Sequence, residues 1–276
     1  MNISSLRISV TKRCNISCPY CHREGLSDAA EDMDLATIRD IAACAVDLGI
    51  TRFKITGGEP LMRDDIVDIV RTFTGLGATE VSMTTNGMLL AEKAQALHAA
   101  GLSRVNIGCD SMSSHVLKKN AESVAAGIAA AHENGMLPIK LNMVVLKDIN
   151  HTDIEPMIDF AKDNGAILQL IELIDMDHEY FAKHHYSLAD IEDNLRARAR
   201  NVRVRPEHRR RQYHLGDVIV ETVRPMHKGF CQNCRKLRVT SDGKLKPCLM
   251  RQDNHIPFSG KESMIDAIAA KEAYHD

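Results

Sequence analysis

Short β-rich runs alternate with helical patterns over the first 175 residues, and this alternation constrains the fold more than any other feature of the chain. Strands separated by helices of ten to fifteen residues predict right-handed βαβ units and a parallel sheet. Six such strands are too few for a closed barrel of eight. The runs predict strands at 6–11, 52–57, 80–86, 104–110, 139–146 and 167–174, with helices at 34–49, 64–76, 91–100, 121–134 and 152–164 between them. Functional residues are expected where the parallel strands end.

Three cysteines follow the first predicted strand in a C-x3-C-x2-C pattern: Cys14, Cys18 and Cys21. Three thiolates can hold a [4Fe–4S] cluster with one iron open to another ligand, since such a cluster has four irons usually held by four cysteines. Two alternatives are a structural zinc site, which usually needs four protein ligands, and a disulfide knot. Nothing marks the chain as secreted, so a disulfide knot is less expected than either metal site.

The second predicted strand runs into Thr-Gly-Gly-Glu-Pro-Leu at 56–61. Glycines here let the backbone approach a ligand closely, and Glu59 adds a carboxylate. Together with the cysteine loop, this motif resembles the radical S-adenosylmethionine (SAM) superfamily. The resemblance implies an α/β fold, a partial (β/α)6 barrel with a C-terminal auxiliary-cluster region, and a cluster whose open iron chelates SAM. It also implies that Tyr20, Gly58 and Glu59 bind SAM.

A second set of cysteines, Cys231, Cys234 and Cys248, is spaced C-x2-C-x13-C, and Asp242-Gly243 predicts a hairpin turn before the last of them. Three thiolates again indicate a cluster with an open iron. The alternative is a zinc ribbon completed by His227 or His255.

The stretch 237–249 around the last cysteine resembles the corresponding region of the GTP 3′,8-cyclase family, which acts in molybdenum cofactor biosynthesis. The resemblance implies two [4Fe–4S] clusters, SAM as cofactor and GTP as substrate, with guanine on the second cluster. It implies a deoxyadenosyl radical that takes hydrogen from C3′ of the ribose, after which C3′ attacks C8 of guanine. No side chain is assigned as catalytic, and Arg63 is a weaker candidate contact. The expected GTP contacts are Arg7, Lys54, Thr85, Lys140, Lys236, Leu237 and Arg238.

Four positions depart from the family's usual residues. Gly108 replaces a serine expected to touch SAM, Gln169 replaces an arginine, Ile174 stands near a usual methionine, and Lys236 replaces an arginine. These departures leave open a paralogous two-cluster enzyme acting on another nucleotide or a peptide side chain. A metal-binding regulator or electron-transfer protein is a third possibility.

The region after residue 175 has a different character. A polar, His-bearing stretch at 175–186 predicts a loop, and the arginine-rich stretch 203–211 predicts either a solvated basic segment or part of an anion-binding cavity. We expect two domains, a radical SAM partial barrel at 1–175 and a C-terminal region at 176–276 with the second cluster.

Composition bounds the partners. The chain has 276 residues, a net charge of −2, 4% aromatic residues and no Trp, which argues against nucleic-acid binding. It has no apolar run of about 20 residues, so no membrane span is expected. The chain has eight cysteines, six of them in the two sets described above, which suggests reduced thiols that serve metal and predicts a cytoplasmic location. Besides GTP, the expected partners are an unidentified low-potential electron donor and a second copy in a homodimer.

Overall fold

The fold is built on one sheet of 11 strands in a computed structural model that describes residues 3–23, 31–113, 121–227, 229–231 and 233–271. The strands are β1 Ser5–Ser9, β2 Arg52–Thr56, β3 Glu80–Thr85, β4 Arg104–Gly108, β5 Lys140–Val145, β6 Ile167–Glu172, β7 Asn201–Val204, β8 Arg211–Leu215, β9 Val218–Val223, β10 Lys236–Val239 and β11 Leu245–Lys246. The described helices are α1 Leu35–Asp47, α2 Ile66–Gly75, α3 Leu90–Ala99, α4 Ala121–Glu133, α5 Ile154–Asp163, α6 His178–His184, α7 Ala189–Arg198 and α8 Lys261–Ala269.

The six predicted strands form β1 to β6, each parallel to the next, with α1 to α5 between them. The predicted α/β fold with a parallel sheet is therefore confirmed. The hydrogen-bonded strand order is β11-β10-β1-β2-β3-β4-β5-β6-β9-β8-β7, so the sheet does not close on itself, as expected of a partial barrel.

The C-terminal region extends the sheet at both edges. β10 pairs parallel with β1, and β9 pairs parallel with β6. Without them, both edges of the six-stranded sheet would present unpaired backbone groups. The barrel wall therefore has eight consecutive parallel strands, and β11, β8 and β7 continue it in antiparallel pairing. Strands from both sides of residue 175 thus share one sheet, and the division into two domains stays a prediction.

Alternating residues give the sheet one apolar and one polar face. On β1 and β2, Leu6, Ile8, Phe53 and Ile55 are buried in the hydrophobic core, whereas Arg7 and Lys54 line an internal cavity. Helix α2 covers the apolar face, where the rings of Phe53 and Phe73 stack with centroids 4.7 Å apart. The period of two along each strand therefore sends charged residues into the barrel interior.

One sequence prediction is wrong in part: the stretch 175–186 contains the short helix α6. Asp177 caps it, because its side chain accepts a hydrogen bond from the Tyr180 backbone at 3.0 Å. The cap overrides the polar composition that favoured a loop.

No helix in the part of the chain that the structure describes has the length and apolar character to cross a membrane. The cytoplasmic location and the homodimer stay predictions.

Candidate active site

The first cysteine loop leaves the end of β1 and is tied down at its base. Asp32 accepts hydrogen bonds from the Thr11 hydroxyl at 2.5 Å and from the Lys12 backbone at 2.8 Å. Within the loop, the Cys21 amide donates to the Cys18 carbonyl at 3.1 Å, forming a tight turn. Cys14 and Cys21 are exposed, and Cys18 is half-buried. The loop thus presents its three thiols at the end of the barrel where the parallel strands finish.

The Gly-Gly-Glu-Pro segment packs directly on this loop. The Gly58 amide donates to the Thr11 carbonyl at 2.7 Å, and the Glu59 amide donates to the Arg13 carbonyl at 2.8 Å. A Cβ at Gly58 would lie 2.2 Å from the Arg13 oxygen, so no larger residue fits. The close approach that requires glycine here is therefore to the backbone of the cysteine loop.

Glu59 is fully buried and uses its carboxylate to organise two loops. It accepts hydrogen bonds from the Thr85 hydroxyl at 2.7 Å, the Asn86 amide at 2.6 Å and the Leu61 amide at 3.0 Å. These contacts join the ends of β2 and β3. The Thr85 hydroxyl is therefore bonded to Glu59 and lies away from the main cavity described below, whereas its neighbour Thr84 lines that cavity.

Arg63 supports the same loops from below. Its guanidinium donates to the carbonyls of Val10 and Met33 at 2.7 and 2.8 Å and forms a bidentate ion pair with Asp65. Asp65 balances its charge and the guanidinium lies outside both cavities described below, so Arg63 acts as a structural support for the cysteine loop.

Tyr20 lines the cavity beside the cysteines. Its hydroxyl donates to Asp110 at 2.6 Å, and Asp110 also accepts from the Val144 amide at 2.9 Å. Burial and the Asp110 carboxylate raise the pKa of Tyr20, so the phenol stays protonated. This bond fixes the cysteine loop to the ends of β4 and β5.

The main cavity has a volume of about 290 Å³ and lies inside the barrel, towards the ends of the parallel strands. Cys18 and Cys21 lie on one side, and Phe230 and Leu249, the neighbours of Cys231 and Cys248, lie on another. The departures from the family's usual residues, Gly108, Gln169, Ile174 and Lys236, all line this cavity.

Cationic side chains form the inner wall of this cavity: Arg7, Lys54, Arg210, Lys236 and Arg238. All of them except Arg210 are GTP contacts predicted from the sequence. Leu237, predicted with them, has a side chain fully buried in the core on the other face of β10. The structure therefore brings four of the seven predicted contacts to the main cavity.

A smaller cavity of about 120 Å³ lies deeper, where the parallel strands begin. It shares Arg7, Lys54 and Lys236 with the main cavity and adds Lys140 and Arg104. The two cavities therefore form one cation-lined interior.

Burial lowers the pKa values of the lysines in this interior and so disfavours their charged form. Burial, together with Arg7 and Lys236, lowers the pKa of Lys54 well below its ordinary value. Burial also lowers the pKa of Lys140 and of Lys236 to about 8, against the opposing effect of Glu221 and Glu207. A bound anion would relieve this cost, because it stabilises the protonated lysines.

Glu221 on β9 is a buried carboxylate that pairs with two of these cations. Its side chain is fully buried and lies 2.9 Å from Lys140 Nζ and 2.9 Å from an Arg210 nitrogen, and it accepts a hydrogen bond from Gln212 at 2.7 Å. Although burial would raise the pKa of Glu221, Lys140 and Arg210 lower it to about 2. Sequence reasoning missed this residue, and the only available signal was a glutamate inside an otherwise apolar strand.

The second set of cysteines lies beside β10 and β11. The Cys234 amide donates to the Cys231 carbonyl at 3.0 Å, and the predicted turn at Asp242-Gly243 connects the two strands, with Gly243 at φ +85°. Burial alone would raise the pKa of the Cys234 thiol, but Arg238 and Lys271 hold it below its ordinary value. Lys271 is fixed by the carbonyls of Lys236 and Pro247, both at 2.9 Å.

The donor chemistry of both sets fits iron–sulfur clusters. All eight cysteines are free thiols, so the disulfide alternative is not supported. Across the described ranges, no three Cys, His, Asp or Glu side chains converge as a site for a single ion, and neither His227 nor His255 completes one. Three thiolates in each set are the donors that iron–sulfur clusters use.

Two family models match consecutive parts of the chain. Residues 8–161 match the family model for the Radical SAM superfamily, and residues 166–265 match the one for Molybdenum Cofactor Synthesis C. A probable GTP 3′,8-cyclase of Methanothermobacter marburgensis is 44% identical over 91% of this chain and 85% of its own. One of Archaeoglobus fulgidus is 38% identical over 99% of this chain and 96% of its own.

Among solved structures, SuiB of Streptococcus suis bound to S-adenosylmethionine superposes with a TM-score of 0.64 at 17% identity. The match covers 90% of this chain and 58% of SuiB, and it supports the fold alone.

Proposed function

The chain belongs to the radical SAM superfamily and, within it, to the GTP 3′,8-cyclase family, and on that premise we propose that it converts GTP to 3′,8-cyclo-7,8-dihydroguanosine 5′-triphosphate. This reaction is the first step of molybdopterin biosynthesis. Family membership implies SAM and an iron–sulfur cluster; a second cluster and the individual site residues are part of the proposal.

One observation carries the proposal: a single cavity is lined by Cys18 and Cys21 of the first set, reaches the neighbours of the second set, and ends in a wall of cations. Those neighbours are Phe230, beside Cys231, and Leu249, beside Cys248. A nucleoside triphosphate has matching parts, a base with ring nitrogens at one end and three phosphates at the other. Arginine and lysine suit phosphate, arginine by donating paired hydrogen bonds and lysine as a point charge.

In this proposal each group of residues has one task. Cys14, Cys18 and Cys21 hold the first cluster, and Tyr20 and the Gly58 backbone lie beside SAM. A second set, Cys231, Cys234 and Cys248, holds the other cluster near the guanine. The triphosphate is bound by Arg7, Lys54, Lys140, Lys236 and Arg238.

The reduced first cluster, when bound, supplies the electron that cleaves SAM and so provides the radical chemistry that joins ribose C3′ to guanine C8. The protein orients SAM and GTP and excludes water from the cavity. Phe230 and Leu249 contribute to the exclusion of water, because they form an apolar side of the cavity. The electron comes from a separate low-potential donor.

The test is anaerobic turnover of the reconstituted protein with GTP, SAM and dithionite. GTP carrying deuterium at ribose C3′ should yield singly deuterated 5′-deoxyadenosine and the cyclised triphosphate, both identified by mass spectrometry. Deoxyadenosine without deuterium, and GTP recovered unchanged, would contradict the proposal.

A second candidate is a paralogous enzyme that acts on another nucleotide or a peptide side chain. It is favoured by the position of Gly108, Gln169 and Ile174, three departures from the family that line the cavity. The same assay with ATP, CTP and UTP in place of GTP separates the two. Faster deoxyadenosine formation with one of these than with GTP would favour the second candidate.

A further inference from the structure

The loop 205–210 joins β7 to β8 and reaches across the open barrel. Both strands lie at one end of the sheet, yet Glu207 on the loop lies 3.4 Å from Lys236 Nζ on β10, near the other end. The backbone at His208 and Arg209 is left-handed, with φ of 60° and 48°. Such conformations are costly for residues with a Cβ and persist only where the surrounding structure holds them.

The loop settles the two interpretations of the arginine-rich stretch. Arg205 and Arg210 line the deeper cavity, whereas Arg203 on β7 is exposed. Arg210 forms ion pairs with Glu221 at 2.9 Å and Glu207 at 3.7 Å. Part of the stretch therefore belongs to the cation-lined interior, and part is solvated.

His208 carries a ring nitrogen for which the described part of the chain provides no hydrogen-bond partner. The residue is only 8% exposed and lines the main cavity, and no described residue hydrogen-bonds its buried Nε2. Its ring stacks on Phe230, with centroids 4.2 Å apart and planes 25° apart, which fixes its orientation. A buried polar atom without a hydrogen bond costs free energy, so a cavity-lining nitrogen of this kind indicates that a ligand atom forms a hydrogen bond with it.

The surroundings indicate which kind of atom that is. Burial, with Lys236, Arg210 and Arg238 nearby, lowers the pKa of His208, so the ring is neutral and one nitrogen carries a hydrogen. Three cations surround this neutral donor and outnumber the two carboxylates that contact them, Glu207 and Glu221, so the site favours an anion with several acceptor oxygens. Phe230 places this site next to the second set of cysteines, between the expected positions of the base and the phosphates.

We infer that His208 is a substrate-binding residue whose Nε2 donates a hydrogen bond to a phosphate oxygen of the nucleotide. The identity of the nucleotide rests on the proposed function, but the anion site does not. The left-handed backbone of the loop is then explained, because it turns the imidazole inward to meet the substrate.

The experiment compares three variants of the full, anaerobically reconstituted chain. His208→Phe keeps a ring that can stack on Phe230 but removes the nitrogen, and His208→Gln restores an N–H near the position of Nε2. His214→Phe is the matched control, because His214 lies on the adjacent β8 and lines none of the cavities described above. Equilibrium binding is measured for GTP, for inorganic tripolyphosphate and for SAM.

His208→Phe should weaken GTP and tripolyphosphate by about 10- to 150-fold, the value of one hydrogen bond to a charged group, with SAM affinity unchanged. His208→Gln should recover most of the loss, and His214→Phe should match the unmodified protein. Wild-type affinity of His208→Phe for both anions would overturn the inference and leave the proposed function standing. Tripolyphosphate binding without GTP binding in the unmodified protein would refute the proposed function, and the tripolyphosphate comparison would still decide the role of His208.

Discussion

Replacing Glu221 with Gln should destabilise the protein strongly, because this carboxylate neutralises two buried cations. The side chain is 0% exposed and contacts Lys140 Nζ and Arg210, each at 2.9 Å. Its pKa falls from 4.5 to about 2 on folding. At about 1.4 kcal/mol for each tenfold change in a protonation equilibrium, the ionised carboxylate contributes about 3 kcal/mol of stability.

The two partners of this ion pair do not benefit equally. The pKa of Lys140 is lowered to about 8 even with Glu221 beside it, because burial outweighs the attraction. Removing one partner of a buried ion pair generally costs about 3–5 kcal/mol of stability, and we expect the same loss for Glu221→Gln. For a chain of this size that corresponds to a fall in melting temperature of roughly 6–20 °C.

The assay is thermal and denaturant unfolding of Glu221→Gln under anaerobic conditions. The control is Glu155→Gln, which breaks an ion pair with Arg198 whose side chains are 59% and 42% exposed and should cost less than about 1 kcal/mol. Adding Lys140→Met to Glu221→Gln should recover part of the loss, since the buried charge that Glu221 pairs with on β5 is then removed as well. Equal stability of the two single variants would refute the reasoning.

The pH dependence has a definite sign. The folded-state pKa of Glu221 is depressed, so its contribution is fully present above about pH 4.5 and is lost as the pH falls towards 2. Glu221→Gln should flatten the acid limb of the stability curve in that window. An unchanged acid limb would contradict the assignment.

Three further predictions address other parts of the site. Gly58→Ala should abolish SAM binding, because its Cβ would lie 2.2 Å from the Arg13 oxygen, whereas Gly75→Ala, with nothing within 4 Å, should bind SAM normally; equal SAM affinities would contradict this. GTP affinity should fall as the pH rises from 7 to 9, since the pKa of Lys140 is about 8 and only the protonated lysine attracts phosphate, and a flat titration would count against its role. Replacing Cys14, Cys18 and Cys21 with Ala should halve the bound iron and stop the formation of 5′-deoxyadenosine. Continued formation would refute the assignment of the first cluster to these residues.

The elements that follow from local periodicity were predictable from the sequence. All six strands of the partial barrel and the helices between them appear, because buried parallel strands and amphipathic helices have distinct apolar periods. The turn at Asp242-Gly243 also appears, because a type of turn that needs positive φ selects glycine. Each of these depends only on neighbours in the chain.

The strand pairings at the edges depend on distant residues, and sequence periodicity carries no information about them. The pairing of β10 with β1 joins residues more than 200 positions apart, and it places the second set of cysteines beside the first strand. The roles of Thr84 and Thr85 show the same limit on a smaller scale. Neighbouring strand residues face opposite sides, and a motif match does not state which of the two faces the cavity.

The charge balance of the interior links folding to substrate binding. A cavity lined by buried cations is costly, and the fold reduces the cost with two carboxylates, Glu221 and Glu207, that contact Lys140, Arg210 and Lys236. Burial and the neighbouring cations nevertheless lower the pKa of Lys54 and of Lys140, so the protonated lysines remain costly. A triphosphate offsets this cost, because its charges stabilise the same cations in their protonated form. Anion binding should therefore stabilise the whole barrel and not the loop 205–210 alone, since the cations come from strands at both edges of the sheet.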